Sequence, residues 1–206
     1  MNHRQVAASA SMIALYIFDM GGVVSLGTDV SARVADFLSL DRPDLRELAR
    51  AEFDSLMRGQ ITVVEFWRRF SRLTGREVEE DLWGAFFQPR PNRAVLELVQ
   101  GLKKKGRVVV GTNTIAPHYR IHQENGDYAV FDAVYASHLI GLAKPDPAFY
   151  NHILGAEGCR PEQAVFIDDL EANVAAGRQL GLHALLYRSE GRLRRQLREL
   201  QGDGGP

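Results

Sequence analysis

Cysteine occurs once among the 206 residues, at Cys159, so the chain closes no internal disulfide and suits a reducing compartment. No second cysteine or histidine motif accompanies it, and it reads as a structural thiol. A charge surplus is equally missing: 25 Lys and Arg stand against 26 Asp and Glu. No global field therefore draws the protein to nucleic acid or to an anionic membrane, and an anionic ligand has to be held by local groups. Long apolar runs are absent too, so nothing in the sequence spans a bilayer. Ala8-Ser9-Ala10 looks like a signal-peptidase site, but the apolar run Ile13 to Phe18 follows it, the reverse of a secretory leader's order. The expectation is a cytoplasmic protein with flexible ends at residues 1–11 and 201–206.

What is present is an apolar fraction of 45%, enough for a core in one domain or in one domain with a sizeable insertion. Short apolar runs end in polar residues: Ile13 to Phe18 before Asp19, Arg107 to Val110 before Thr112-Asn113, Phe131 to Ala136 before Ser137, and Ala164 to Ile167 before Asp168-Asp169. Each predicts a buried parallel strand, and His183 to Tyr187 predicts a fifth. Helical patterns separate most of them. Val95, Leu98, Val99 and Leu102 fall at i, i+3, i+4 and i+7, and Asp146-Pro147 is an N-cap followed by proline at the first helical position. The alternation predicts an α/β fold, a parallel sheet with helices on both faces. Ligands of such sheets sit beyond the carboxyl ends of the strands, which gathers Asp19, Thr112, Asn113, Asp168 and Asp169 along one crevice.

Between the first strand and the helix opening near Asn92 lie roughly 65 residues, too many for an ordinary connection. Thr62-Val63-Val64-Glu65 is a capping box, and Asp41-Arg42-Pro43 opens a helix through Phe53 and Leu56. Residues 25–90 are therefore expected to form a small helical cap over the crevice, with residues 12–24 and 91–190 as the discontinuous core. The cap aromatics Phe37, Phe53, Trp67, Trp83, Phe86 and Phe87 read as bundle core, with one or two at its sheet-facing end free to shape specificity. Near the C-terminus, Arg192, Arg194, Arg195 and Arg198 alternate with Leu193, Leu197 and Leu200, as in a solvated terminal helix.

The chemistry concentrates at the strand ends. Tyr16-Ile17-Phe18-Asp19-Met20-Gly21-Gly22 delivers one carboxylate beside backbone free of side chains, suited to a nucleophile or a metal ligand. Asp168 and Asp169, adjacent at the end of an apolar run, repel one another unless a cation is near. Three carboxylates against the single ammonium of Lys144 leave a surplus that one divalent cation cancels. Oxygen ligands without histidine or cysteine suit Mg²⁺.

Four motifs, in this order, resemble the haloacid dehalogenase superfamily in its capped phosphatase branch: Phe18-Asp19-Met20-Gly21-Gly22-Val23-Val24, Val110-Gly111-Thr112-Asn113, Ala143-Lys144-Pro145, and Phe166-Ile167-Asp168-Asp169 with Asn173. The resemblance runs from Met12 to about Tyr187. It implies a Rossmann-like core and a Mg²⁺-dependent phosphatase acting on a small phosphorylated metabolite. Asp19 would attack phosphorus to form an aspartyl-phosphate that water then hydrolyses. Thr112 and the Asn113 backbone would hold phosphoryl oxygens, and Lys144 would neutralise nucleophile and phosphoryl group. The metal would take Asp19, the Gly21 carbonyl and Asp169, with Asp168 as direct or outer partner.

Gly21 departs from that pattern. Most phosphatases of the family have there an aspartate that protonates the leaving oxygen and then activates water, a role worth about 10² to 10⁴ in rate. Three alternatives stand: another acid enters from the cap, the substrate has a good leaving group as in the sugar-1-phosphate phosphatases this slot resembles, or the protein is a weak catalyst. His118 and His122, four apart, read as surface histidines, and His118 is the candidate substitute acid. Competing functions are a metal-independent 2-haloacid dehalogenase and a phosphate-binding regulatory protein. Nothing in the sequence sets the oligomeric state.

Overall fold

A computed structural model describes residues 12–202. The five apolar runs pair as parallel strands: β1 (Leu15–Phe18), with the short β2 (Ser25–Leu26) and β3 (Arg90–Pro91) outside the main sheet, then β4 (Arg107–Thr112), β5 (Ala133–Ala136), β6 (Ala164–Asp168) and β7 (His183–Leu186). The sheet order is β5-β4-β1-β6-β7, so the strand carrying Asp19 lies at its centre. Phe18 is in register with Val110 on one side and Ile167 on the other, which brings the polar residues after each run to one edge.

Because side chains alternate across a strand, β1 feeds two cores. Tyr16 and Phe18 join Val95, Leu98, Val99 and Leu102 of α5 (Arg93–Leu102), while Leu15 and Ile17 join Phe149, Tyr150 and Ile153 of α8 (Pro147–Ala156) and Val174 of α9 (Glu171–Gln179). The α8 start forms as expected, with the Asp146 side chain accepting from Ala148 N at 2.9 Å. Helix α10 (Glu190–Gln201) departs from a purely solvated helix: its arginines face out, but Leu193 and Leu197 are buried in the first core. The core therefore continues past residue 190. Gln201, expected in a loose tail, is the last helical residue and donates to the Tyr16 hydroxyl at 2.7 Å. The remaining stretches expected to be flexible, 1–11 and 203–206, lie outside the described residues. No helix among the described residues is long and apolar enough to cross a membrane.

The long insertion forms α1 (Ser31–Phe37), α2 (Arg42–Met57), α3 (Val63–Thr74) and the single turn α4 (Leu82–Ala85). Its two ends pair as a short antiparallel ribbon, β2 with β3, of which the sequence pattern carries no sign. Half of the capping box forms: Thr62 Oγ1 accepts from Glu65 N at 3.1 Å, while the Glu65 carboxylate turns to Arg68 and Arg69. Phe66, Trp67, Phe70, Trp83 and Phe87 are buried together in the bundle's own core. Phe37 is an exception to the reading of bundle core: it is 62% exposed, with its ring edge to face against Phe86. Ile115, just before α6 (Ala116–Glu124), is buried in the bundle's cluster, so the bundle sits on the strand-end side of the sheet.

Candidate active site

Strand β1 runs straight into Asp19, whose N–H donates to the Ile167 carbonyl at 2.8 Å and so continues the ladder with β6. Its Oδ1 accepts from Met20 N at 2.8 Å. Thr112 closes β4 and Asp168 closes β6, both buried.

Lys144 comes from the loop between α7 (Ser137–Ile140) and α8, yet its ammonium lies at the centre of the crevice. Nζ meets Asp19 Oδ1 at 2.8 Å, Asp168 Oδ2 at 2.7 Å and the Gly111 carbonyl at 2.9 Å, which uses all three of its donors. The loop is fixed from the neighbouring strand end. Asn113 Nδ2 donates to the Lys144 carbonyl and Asn113 Oδ1 accepts from Lys144 N, each at 2.8 Å.

Asp168 is fully committed. Its Oδ1 accepts from Leu170 N at 2.8 Å, its Oδ2 from Lys144, and Asn173 Nδ2 bridges both oxygens at 3.0 Å. Tyr150 in turn donates to the Asn173 carbonyl at 2.8 Å and anchors that end of α9. Asp169 is only partly buried, against the backbone at Gly22. Gly22 has φ +74°, and a Cβ there would lie 2.2 Å from Asp169 Oδ2. The close approach explains this glycine. Gly21 sits in ordinary backbone, bridged to Ser25, where a Cβ would lie 3.1 Å from Thr28 Oγ1, a tight contact that a small shift of that side chain relieves.

Burial pushes the Asp19 carboxyl up to about 6, against the pull of Lys144. Burial, then Asp168, raises Asp169 as well. Burial opposes the charge of Lys144, but Asp19 and Asp168 outweigh it and hold the ammonium above its usual range. One ammonium thus serves a crowded set: Asp19, Asp168 and Asp169 each bring a carboxylate oxygen within 4.8 Å of the others. That all-oxygen donor set with excess negative charge fits a hard divalent cation.

Beside this cluster lies a cavity of about 190 Å³ whose walls include Gly21, Thr28 and Thr112, Phe53 and Phe87 of the inserted segment, and His118, His122 and Tyr128. Both histidines differ from surface residues. His118 stacks on Phe87 at 3.7 Å between ring centroids, and its Nε2 lies 2.9 Å from the Trp83 carbonyl. Since a carbonyl only accepts, Nε2 carries the proton and gives it to Trp83. Burial lowers this imidazole to about 4, so it is neutral near pH 7. His118 therefore fails as the substitute acid: its proton is spent and its charged form is disfavoured. His122 is 3% exposed and its Nδ1 lies 2.6 Å from Asp127 Oδ2. Asp127 and Tyr128 carry no sequence motif, and only the turn after α6 brings Tyr128 to this wall and Asp127 to His122 behind it.

A parallel α/β sheet with an acidic strand-end crevice under an inserted bundle is a frame for hydrolytic chemistry. The chain belongs to the haloacid dehalogenase-like hydrolases, whose family model matches residues 13–181. It is similar to sesquiterpene phosphatase astK of Aspergillus oryzae, 29% identical over 90% of this chain and 95% of that protein. It is likewise similar to D-ribitol-5-phosphate phosphatase of Bacteroides thetaiotaomicron, 27% identical over 82% of this chain and 89% of that one. Among solved structures, a family enzyme of Bacteroides thetaiotaomicron in its magnesium complex superposes with a TM-score of 0.71 at 25% identity, covering 85% of this chain and 93% of that one.

Proposed function

We propose that this protein is a Mg²⁺-dependent phosphatase that hydrolyses a small phosphomonoester through an aspartyl-phosphate on Asp19. The observation that carries the reading is the Lys144 ammonium bonded to both Asp19 and Asp168 with a third carboxylate alongside. Lys144 draws on Oδ1 of Asp19, as does Met20 N, which aims the carboxylate while Oδ2 takes no hydrogen bond from the described residues. In-line attack on phosphorus would then break the bond to the leaving oxygen, and water would hydrolyse the acyl phosphate. The Thr112 hydroxyl and the Asn113 backbone would hold the phosphoryl oxygens, and Lys144 would balance their charge.

Mg²⁺, when bound, supplies Lewis-acid charge stabilisation to the phosphoryl group. Asp19, the Gly21 carbonyl and Asp169 would hold it. Asp168, its oxygens taken by Lys144, Asn173 and Leu170, would act behind them. Helices α1–α4 would serve as the cap that covers the substrate and keeps out water. The two similar phosphatases act on a polyol phosphate and a sesquiterpene phosphate by name, so phosphomonoesters of small alcohols, sugars included, are the class to screen. The surplus of carboxylates favours this reading over a metal-free dehalogenase: Lys144 is committed to Asp19 and Asp168, and burial with the Asp168 charge raises Asp169 despite Lys144 and Arg188 nearby.

The test is phosphate release from p-nitrophenyl phosphate and a panel of sugar, polyol and isoprenoid phosphates, with and without Mg²⁺. Activity is expected to vanish with chelator and in Asp19→Asn. Full turnover in that variant would overturn the proposal.

A further inference from the structure

An acid missing at residue 21 leaves the proton for the leaving oxygen without a source. The walls of the cavity narrow the choice. Asn113 spends both ends of its amide on Lys144. The ring proton of His118 is given to Trp83. The Tyr128 hydroxyl is buried without a hydrogen-bond partner among the described residues, but burial pushes it upward, away from proton donation near neutral pH. The remaining wall group is His122.

Its surroundings equip it for proton transfer. Asp127 Oδ2, 2.6 Å from Nδ1, accepts that ring proton, fixes the tautomer and orients the ring. Phe87 meets the ring edge to face at 5.2 Å, Tyr128 lies 5.6 Å away between ring centroids, and His118 stands one helical turn earlier. Nε2 has no hydrogen-bond partner among the described residues, and the residue lines the same small cavity as Gly21 and Thr112. A leaving group that fills this cavity touches its walls.

We infer that the His122–Asp127 pair is the general acid and base that residue 21 does not supply. The inference rests on the phosphatase reading above. As Asp19 attacks and the bond from phosphorus to the leaving oxygen breaks, the imidazolium passes its Nε2 proton to that oxygen. The neutral ring then takes a proton from the water that attacks phosphorus. The bond to Asp19 breaks, inorganic phosphate is released, and the Asp19 carboxylate and the imidazolium are restored.

The test compares two leaving groups by the single-turnover release of the phenol, the step that needs the acid, on the full chain with Mg²⁺. p-Nitrophenolate departs without a proton, whereas phenolate profits from one. His122→Asn is expected to slow phenyl phosphate by about 10²-fold and p-nitrophenyl phosphate by less than about tenfold. Asp127→Asn, which keeps the ring, should show the same asymmetry more weakly. Adding Gly21→Asp to His122→Asn should recover at least about tenfold on phenyl phosphate, because both acids would serve one proton. Equal losses on the two substrates, no loss on either, or no recovery by Gly21→Asp would overturn the inference. Absence of p-nitrophenyl phosphate turnover in the unaltered protein would instead overturn the phosphatase reading itself.

Discussion

Asn113 and Lys144 hold one another at both ends, amide nitrogen to carbonyl oxygen and backbone nitrogen to amide oxygen, each at 2.8 Å. The link ties the end of β4 to a loop 31 residues further along the chain. It sets where the Lys144 backbone lies, and hence where its ammonium meets Asp19.

Replacing Asn113 by Ala leaves a backbone donor and a backbone acceptor of Lys144 unpaired. Each part-buried loss costs about 1–3 kcal/mol when no water compensates, and a shift of the ammonium by about 1 Å costs on the order of 10² in rate. Thermal unfolding should show the first effect. kcat for p-nitrophenyl phosphate at saturating Mg²⁺ should show the second, with a larger fall in kcat than rise in KM.

Without metal, stability should fall as pH rises through about 6. Asp19 is held in the folded protein near 6, above its ordinary 3.8, so the folded state binds the extra proton between those values. The stability this contributes is complete below about 3.8 and is lost as pH climbs past about 6. Asp169 is shifted in the same sense, whereas the raised Lys144 acts only at alkaline pH. Urea midpoints measured in chelator across this range should decline for the unaltered protein and decline less for Asp19→Asn. Millimolar Mg²⁺ should restore the midpoint at neutral pH, because a ligand of the folded state alone stabilises it.

The two glycines after Asp19 should respond differently to alanine. Gly22→Ala forces a left-handed conformation on a side chain and drives its Cβ to 2.2 Å from Asp169 Oδ2, so a loss of about 1–2 kcal/mol and a weakened response to Mg²⁺ are expected. Gly21→Ala keeps an ordinary backbone conformation, and its Cβ, 3.1 Å from Thr28 Oγ1 and 3.7 Å from Thr28 Cβ, asks only a small shift of the Thr28 side chain. Its stability should stay within about 0.5 kcal/mol of the unaltered protein, with metal dependence retained. Mg²⁺ titration of thermal midpoints distinguishes the two.

Much of this architecture is legible in the sequence because it is local. An apolar run ending in a polar residue announces a buried strand and the place where it leaves the core, and that alone aligned Asp19, Thr112 and Asp168. Helix α10 is less legible, because an arginine-rich stretch shows its solvent face plainly and hides that Leu193 and Leu197 reach the core. The exposure of Phe37 is hidden for the complementary reason, since an aromatic in a bundle sequence carries no mark of which way its helix turns.

The site's composition was thus written along the chain: a carboxylate after the central strand, a hydroxyl and an amide after its neighbour, a lysine before a proline, and two acids after a third strand. Each is a matter of residue type and spacing over a few positions. Tertiary structure alone decided how they share their bonds. Asp168 became an anchor for Lys144 because Asn173 and Leu170 converge on it, and position 22 leaves no space for a side chain because Asp169 arrives there from a distant strand. His118 was disarmed by the Trp83 carbonyl of the inserted bundle, and His122 was paired with Asp127 by the turn that ends its helix. Hydrogen bonding and desolvation depend on what folding brings within about 3 Å, and no one-dimensional spacing encodes that.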